Sequence, residues 1–291
     1  MKIAKIGVIG AGLMGNGIAH AALLSGYDVT LIDAFEAALP KAVATVTKNM
    51  DRQVTKGTIT AAARDAALKR LVTGEDLSLL QGADLVIEAV PEQEALKAQL
   101  YRQVAPHLGP DTLLASNTSS ISITKLAALS GRPDKFMGMH FFNPVPMMKL
   151  VEIIRGLATS DATVAAAQQV ADKLGKTVAA AEDSPGFIVN RILCPMINEA
   201  IFTLQDGTGT VAAIDAGLKL GANHPMGPLE LADFIGLDTL LAIMRVLHEG
   251  LGEDKYRPCP LLVKYVNAGW LGRKSGRGFY DYTVNPPKPK C

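Results

Sequence analysis

His140 and Glu152 stand twelve residues apart, one in the apolar run Phe136–Phe141 and the other in the run Leu150–Ile154. If the two runs are neighbouring strands, an imidazole and a carboxylate meet. Such a pair fixes the histidine tautomer and raises the basicity of the other ring nitrogen. An imidazole titrating near its ordinary value of about 6.5 can take a proton from an alcohol and return it in the reverse direction. Oxidising an alcohol to a ketone needs that proton removed while a hydride leaves the same carbon. His140 also reads as a histidine satisfied beside the core, and the residue types alone leave both readings open. A third polar group, Ser116-Asn117-Thr118-Ser119-Ser120, follows the apolar run Thr112–Ala115.

The hydride acceptor is suggested by the N-terminal segment. The run Ile6–Ile9 enters Gly10-Ala11-Gly12-Leu13-Met14-Gly15, a helical pattern follows, and the run Val29–Ile32 ends at Asp33. In such a fingerprint the first glycine allows a tight turn, the second lets the backbone approach a pyrophosphate, and the third lets helix pack on strand. The positive end of the new helix suits a diphosphate. Asp33 would accept from a ribose 2′-hydroxyl and repel a 2′-phosphate, which favours NAD over NADP.

These residues need a scaffold that gathers strand ends. Beyond the first two runs, strand patterns fall at Ala83–Val90, Thr112–Ser116, Phe136–Phe141, Leu150–Ile154 and Thr177–Ala181. Helical patterns fill the gaps at Phe35–Lys56, Glu92–His107 and Ala162–Leu174, with Asp161 as an expected N-cap and Gly175 beyond the end. This alternation predicts an α/β Rossmann-type, doubly wound, mostly parallel sheet. Residues 35–70 predict a helical insert of two antiparallel helices projecting from the sheet, broken at Lys56-Gly57 and reopened at Thr60.

The pattern changes at Asp183-Ser184-Pro185-Gly186. Beyond it, helical spacing predicts a smaller all-helical domain, with a helix bent at Pro195 and further helices at Val211–Leu220, Leu229–His248 and Pro260–Ala268. The expected organisation is a dinucleotide-binding domain over 1–183, a helical domain over 184–284 and a disordered tail over 285–291.

Composition narrows the partners. The 291 residues are 48% hydrophobic and carry a formal net charge of +1, without a long basic run, so nucleic acid and anionic membranes lose their electrostatic argument. No stretch approaches the ~18 apolar residues of a membrane span, and no signal peptide is expected. Cys194, Cys259 and Cys291 form no metal-ligand spacing and read as reduced thiols of a cytoplasmic protein. No metal is expected.

The segments GVIGAGLMGNGIA, LVIEAVPE, LASNTSSISIT, FMGMHFFNPVPMMKLVEII, EDSPGFIVNRIL, HPMGPLELADFIGLD and GWLGRKSGRGFYDY resemble the 3-hydroxyacyl-CoA dehydrogenase family, and within it the short bacterial 3-hydroxybutyryl-CoA members. The likeness runs from Lys5 to Tyr282 and departs at no motif position. It implies an NAD-dependent (S)-3-hydroxyacyl-CoA dehydrogenase that acts reversibly on short acyl chains. It implies His140 as general base, Glu152 as its orienting partner, and Ser119 and Asn190 against the reacting oxygen or the nicotinamide. The substrate is then expected in the cleft between the domains. Asn143 resembles a nicotinamide-site asparagine, and Glu92 and Lys97 resemble residues near the cofactor's ribose and phosphates. Lys274 resembles a C-terminal lysine that reaches the cofactor site. Lys97 and Lys274 also read as exposed, salt-bridging lysines. For coenzyme A the resemblance favours Lys56, with Asn49 as a weaker partner, among the cations Lys48, Arg52 and Lys56 of the insert. Each of these also reads as a side chain facing water. The family further implies a homodimer through the helical domain. Two alternatives keep the fold: a dehydrogenase of sugar acids or carnitine, and a non-catalytic relative of the kind used as lens crystallin.

Overall fold

The computed structural model describes residues 2–289, and the chain divides into two compact units, 1–184 and 185–291. Cys291 lies outside the described residues.

The first unit runs β1 (Lys5–Ile9), α1 (Leu13–Leu24), β2 (Asp28–Ile32), α2 (Ala38–Thr55), α3 (Ala61–Leu68), β3 (Leu71–Gly74) and β4 (Leu85–Glu88). It continues with α4 (Glu94–Val104), β5 (Leu113–Ser116), α5 (Ile123–Ser130), β6 (Phe136–Phe141), β7 (Leu150–Arg155), α6 (Asp161–Lys173) and β8 (Thr177–Glu182). The eight strands form one sheet in the order β3-β2-β1-β4-β5-β6-β7-β8. Pairing is parallel from β3 to β6, antiparallel between β6 and β7, and parallel again between β7 and β8. The order reverses between β1 and β4, the place where open α/β sheets take their ligands.

Near-continuous apolar strands such as LVIE and LLAS bury both faces, as parallel strands must. One face packs residues of α1, α2 and α6 with Ile6, Val8, Leu31, Ile87 and Ala115. On the other, Tyr101 of α4 meets the ring of Phe136 edge-on at 5.5 Å.

Several expectations need correction. The strand β3 went unread: LVTG is short, partly exposed and at the sheet edge, so it shows no apolar period. The insert helices do not simply project. Leu39, Ala42, Val46 and Met50 of α2 belong to the core, packed with α1. The N-cap of α6 is Ser160, whose hydroxyl accepts from Thr163 N, and Asp161 sits in the first turn. Thr60 does cap α3, accepting from Ala63 N at 3.1 Å.

The second unit is helical: α7 (Val189–Gln205), α8 (Val211–Ala216), α9 (Pro228–Ile235), α10 (Leu237–Leu251) and α11 (Pro260–Asn267), with β9 (Tyr280–Asp281) near the end. Helix α7 continues through Pro195. The single helix expected over Leu229–His248 is two, because Gly236 takes φ +99° between α9 and α10. The helix expected to reach Leu220 ends at Ala216 in a π-turn over Gly217–Gly221. The tail expected to be disordered holds a two-residue strand, β10 (Lys288–Pro289), antiparallel to β9.

Two buried carboxylates organise this unit. Asp215 of α8 accepts from Leu229 N at 2.7 Å and Glu230 N at 3.0 Å at the start of α9, and from Tyr280 Oη at 2.7 Å. Asp233 of α9 accepts from Phe279 N, Tyr280 N and Tyr282 Oη at 2.9–3.1 Å. The GFYDY segment is thus hung on α8 and α9.

Candidate active site

The antiparallel β6–β7 register places His140 directly opposite Glu152. A cross-strand pair shares one face of the sheet, so the side chains meet. Nδ1 of His140 lies 2.7 Å from Oε2 of Glu152, both residues being buried. With Nδ1–H donating to the carboxylate, Nε2 is the ring nitrogen left able to accept a proton. The ring of Phe142 lies against the imidazole, with centroids 4.5 Å apart.

At the far side of the switch point, the glycine turn follows β1. Gly10 takes φ +103°, and a Cβ there would meet Ala89 O at 2.6 Å. A Cβ on Gly15 would collide with Gly10 O. Gly12 differs: open space surrounds the position where its Cβ would stand. Gly12 also caps α1 without a side-chain hydrogen bond, so no side chain caps the first turn. An open glycine before an uncapped helix start fits a pyrophosphate, which would take the N–H groups of that first turn, from Leu13 and Met14 onward. Asp33 at the end of β2 accepts from Ala11 N at 2.7 Å and Phe35 N at 2.9 Å, which ties the glycine turn to the position expected to face a ribose.

Between these two places lies a network the sequence reading missed. Glu88 ends β4 fully buried and accepts from Lys97 Nζ at 2.6 Å, Tyr101 Oη at 2.9 Å, Ser116 Oγ at 2.8 Å and Val90 N at 2.9 Å. Lys97 is therefore a buried ion-pair partner and not an exposed salt-bridging lysine. It also stands 3.4 Å from Glu92, whose Oε1 accepts from Thr118 Oγ1, Ser119 N, Ser120 N and Ser120 Oγ. Burial pushes the Glu92 carboxyl up, but Lys97 and these donors outweigh it and hold it below the usual carboxylate range. Burial and the charge of Glu88 push the Tyr101 hydroxyl far up, so it stays a donor. The Ser119 turn is thus clamped by Glu92, and it is joined to β6 where Asn117 Oδ1 accepts from Phe141 N at 2.9 Å. The one signal in the sequence was an acid ending an otherwise apolar strand, LVIE.

The remaining expected residues are more scattered. Asn143 is exposed in the β6–β7 connection. Lys56 is exposed at the end of α2 and Asn49 is half-buried within it. In the second unit Asn190 is half-buried in the first turn of α7, and Lys274 pairs with Asp238, 2.7 Å from Oδ2. Cys194 and Cys259 are buried free thiols, and burial pushes Cys194 up to about 12. Among the described residues no group of His, Cys, Asp and Glu could hold a metal, and no helix is long and apolar enough to cross a membrane.

Residues 5–184 match the family model described as 3-hydroxyacyl-CoA dehydrogenase, NAD binding domain, and residues 186–282 match that family's C-terminal domain. The chain belongs to the 3-hydroxyacyl-CoA dehydrogenase family. Its first unit is the NAD-binding domain of that family, and the mostly parallel sheet followed by helices is the family's fold. A 3-hydroxybutyryl-CoA dehydrogenase of Bradyrhizobium diazoefficiens is 60% identical over 287 residues, covering 99% of this chain and 98% of that one. A probable 3-hydroxybutyryl-CoA dehydrogenase of Bacillus subtilis is 51% identical, covering 97% and 98%. The crystal structure of (S)-3-hydroxybutyryl-CoA dehydrogenase PaaH1 from Ralstonia eutropha superposes with a TM-score of 0.95 at 51% identity, covering 97% of this chain and all of that one.

Proposed function

We propose that this member of the 3-hydroxyacyl-CoA dehydrogenase family interconverts (S)-3-hydroxybutyryl-CoA and acetoacetyl-CoA with NAD. The observation that carries the reading is the buried pair His140 and Glu152, 2.7 Å apart at the carboxyl-end side of β6. Relatives at 60% and 51% identity bear the name of that activity.

Bound NAD would supply the hydride acceptor. His140 Nε2 takes the hydroxyl proton of the substrate, and Glu152 holds the ring and balances the imidazolium that forms. In reduction, the same nitrogen returns the proton to the oxygen. Ser119, in the turn held by Glu92, and Asn190 contact the reacting oxygen. Gly10 to Gly15 and Asp33 would hold the pyrophosphate and ribose, and Asn143 would serve the nicotinamide end. Glu92, Lys97 and Lys274 complete the cofactor's surroundings. Lys97 acts through Glu92, given its burial. Lys56, with Asn49, meets the coenzyme A phosphates. The molecule works as a cytoplasmic homodimer through its helical domain, whose exposed Ile188, Ile192 and Phe234 offer apolar surface.

The test is an initial-rate comparison with NADH across C4, C6 and C10 3-oxoacyl-CoA substrates. The C4 substrate should give the highest kcat/KM. Turnover of a sugar acid or carnitine with none on any acyl-CoA would overturn the reading. Sedimentation at micromolar concentration should give twice the chain mass.

A further inference from the structure

Lys176, between α6 and β8, is buried with 9% of its surface exposed. Its ammonium donates to two backbone carbonyls of the β6–β7 connection, Val145 O and Met148 O, the latter at 2.6 Å. Among the described residues no carboxylate stands within ion-pair distance of it. One titratable group near it is His20 of α1, itself held down by burial and by this lysine, with Nε2 3.0 Å from Gln53 Oε1. A lone buried ammonium is costly, and an apolar side chain of the same length would fill the space more cheaply. What the ammonium adds is direction: two carbonyls of one loop are drawn to one point.

The same loop is seated from its other side. Val145 is buried against α1, where a Cβ on Gly17 would lie 3.0 Å from Val145 Cβ and 3.1 Å from its Cγ2. Gly17 thus lets the loop sit on the helix that begins at the glycine turn. Within the loop, Met147 N and Met148 N both donate to Pro144 O, so the segment after Asn143 is a closed turn. His140 and Glu152, by contrast, are fixed by the strand ladder on either side of the loop.

We infer that Lys176 is a positioning residue for the cofactor: with Gly17 it fixes the β6–β7 loop on α1 and so sets where Asn143 meets the nicotinamide. The inference rests on the proposed role of Asn143. Because the sheet holds His140 and Glu152 independently, loss of the ammonium moves cofactor affinity and leaves the chemistry.

The experiment is a double-mutant cycle on the Kd of NADH, read from its fluorescence, with kcat measured at saturating NADH. Lys176→Met and Asn143→Ala should each raise Kd about tenfold, and together no more than about tenfold, because both act through one contact. The kcat of Lys176→Met should stay within about threefold of the parent. A silent Asn143→Ala removes the reading of that residue, and the inference with it. An effective Asn143→Ala beside a silent Lys176→Met overturns the inference alone, as does a hundredfold, additive double variant. Should Lys176→Met not fold, Gly17→Ala takes its place in the cycle, its methyl pressing on Val145, with the same expected and overturning results.

Discussion

Glu152 faces His140 because β7 runs against β6, and the register pairs these two residues rather than their neighbours. A slip of one position would send one side chain to the opposite face of the sheet. Replacing His140 by Ala should lower kcat by roughly 10²–10⁴ while NADH still binds. Replacing Glu152 by Gln keeps the size but removes the charge and the acceptor that fixes the tautomer, and should cost about 10²-fold or more in kcat. Steady-state rates beside NADH fluorescence titration check both, and a His140→Ala enzyme with most of its turnover would remove the residue from the mechanism.

The three glycines of the fingerprint serve different masters. Gly15 is required by the chain itself, since a Cβ would strike Gly10 O. Gly15→Ala should lower the unfolding free energy by about 3 kcal/mol or more. Gly12 has open space around its missing Cβ, so Gly12→Ala should fold with unchanged stability. Its NADH affinity should still fall at least about tenfold, as the methyl occupies the pyrophosphate's place. Urea unfolding and NADH titration on the two variants separate the roles.

Glu88 and Lys97 form an ion pair with 1% or less of either side chain exposed. Removing the Glu88 charge leaves the buried ammonium with only Glu92, 3.4 Å away, so Glu88→Gln should cost up to about 3–5 kcal/mol. Adding Lys97→Met should recover most of that loss, because the stranded ammonium goes with it. Denaturant unfolding of the single and double variants decides it. No recovery in the double variant would mean the carboxylate matters chiefly for its hydrogen bonds to Tyr101 and Ser116.

Burial pushes Asp233 up to about 6 from an ordinary 3.8, against the pull of its three donors and with Asp215 adding to the rise. A carboxyl raised on folding favours the native state when protonated. Its contribution is full below about pH 4 and is lost as pH rises through about 6. At most about 3 kcal/mol is involved. Asp233→Asn cannot titrate, so the stability of the parent relative to this variant should shrink from pH 4 to pH 7. A difference that stays constant would place the Asp233 value at the ordinary one.

The N-terminal fingerprint, the order of most strands and helices, and the change of character at Asp183 were legible in the chain. Local physics sets them: apolar period, glycine turns and caps act over a few residues. The pair His140 and Glu152 was legible as two residue types at a spacing, but its meeting was conditional. Only the antiparallel turn between β6 and β7, set by packing across the whole sheet, brought imidazole to carboxylate. The Glu88 network and the Lys176 clamp were invisible for a related reason. Their partners come from helices, strands and loops 9–31 residues away, and a buried charge reveals its purpose only through the groups folded around it. The edge strand β3 was lost because half-exposed strands carry little apolar signal and gain their identity from the neighbour they pair with.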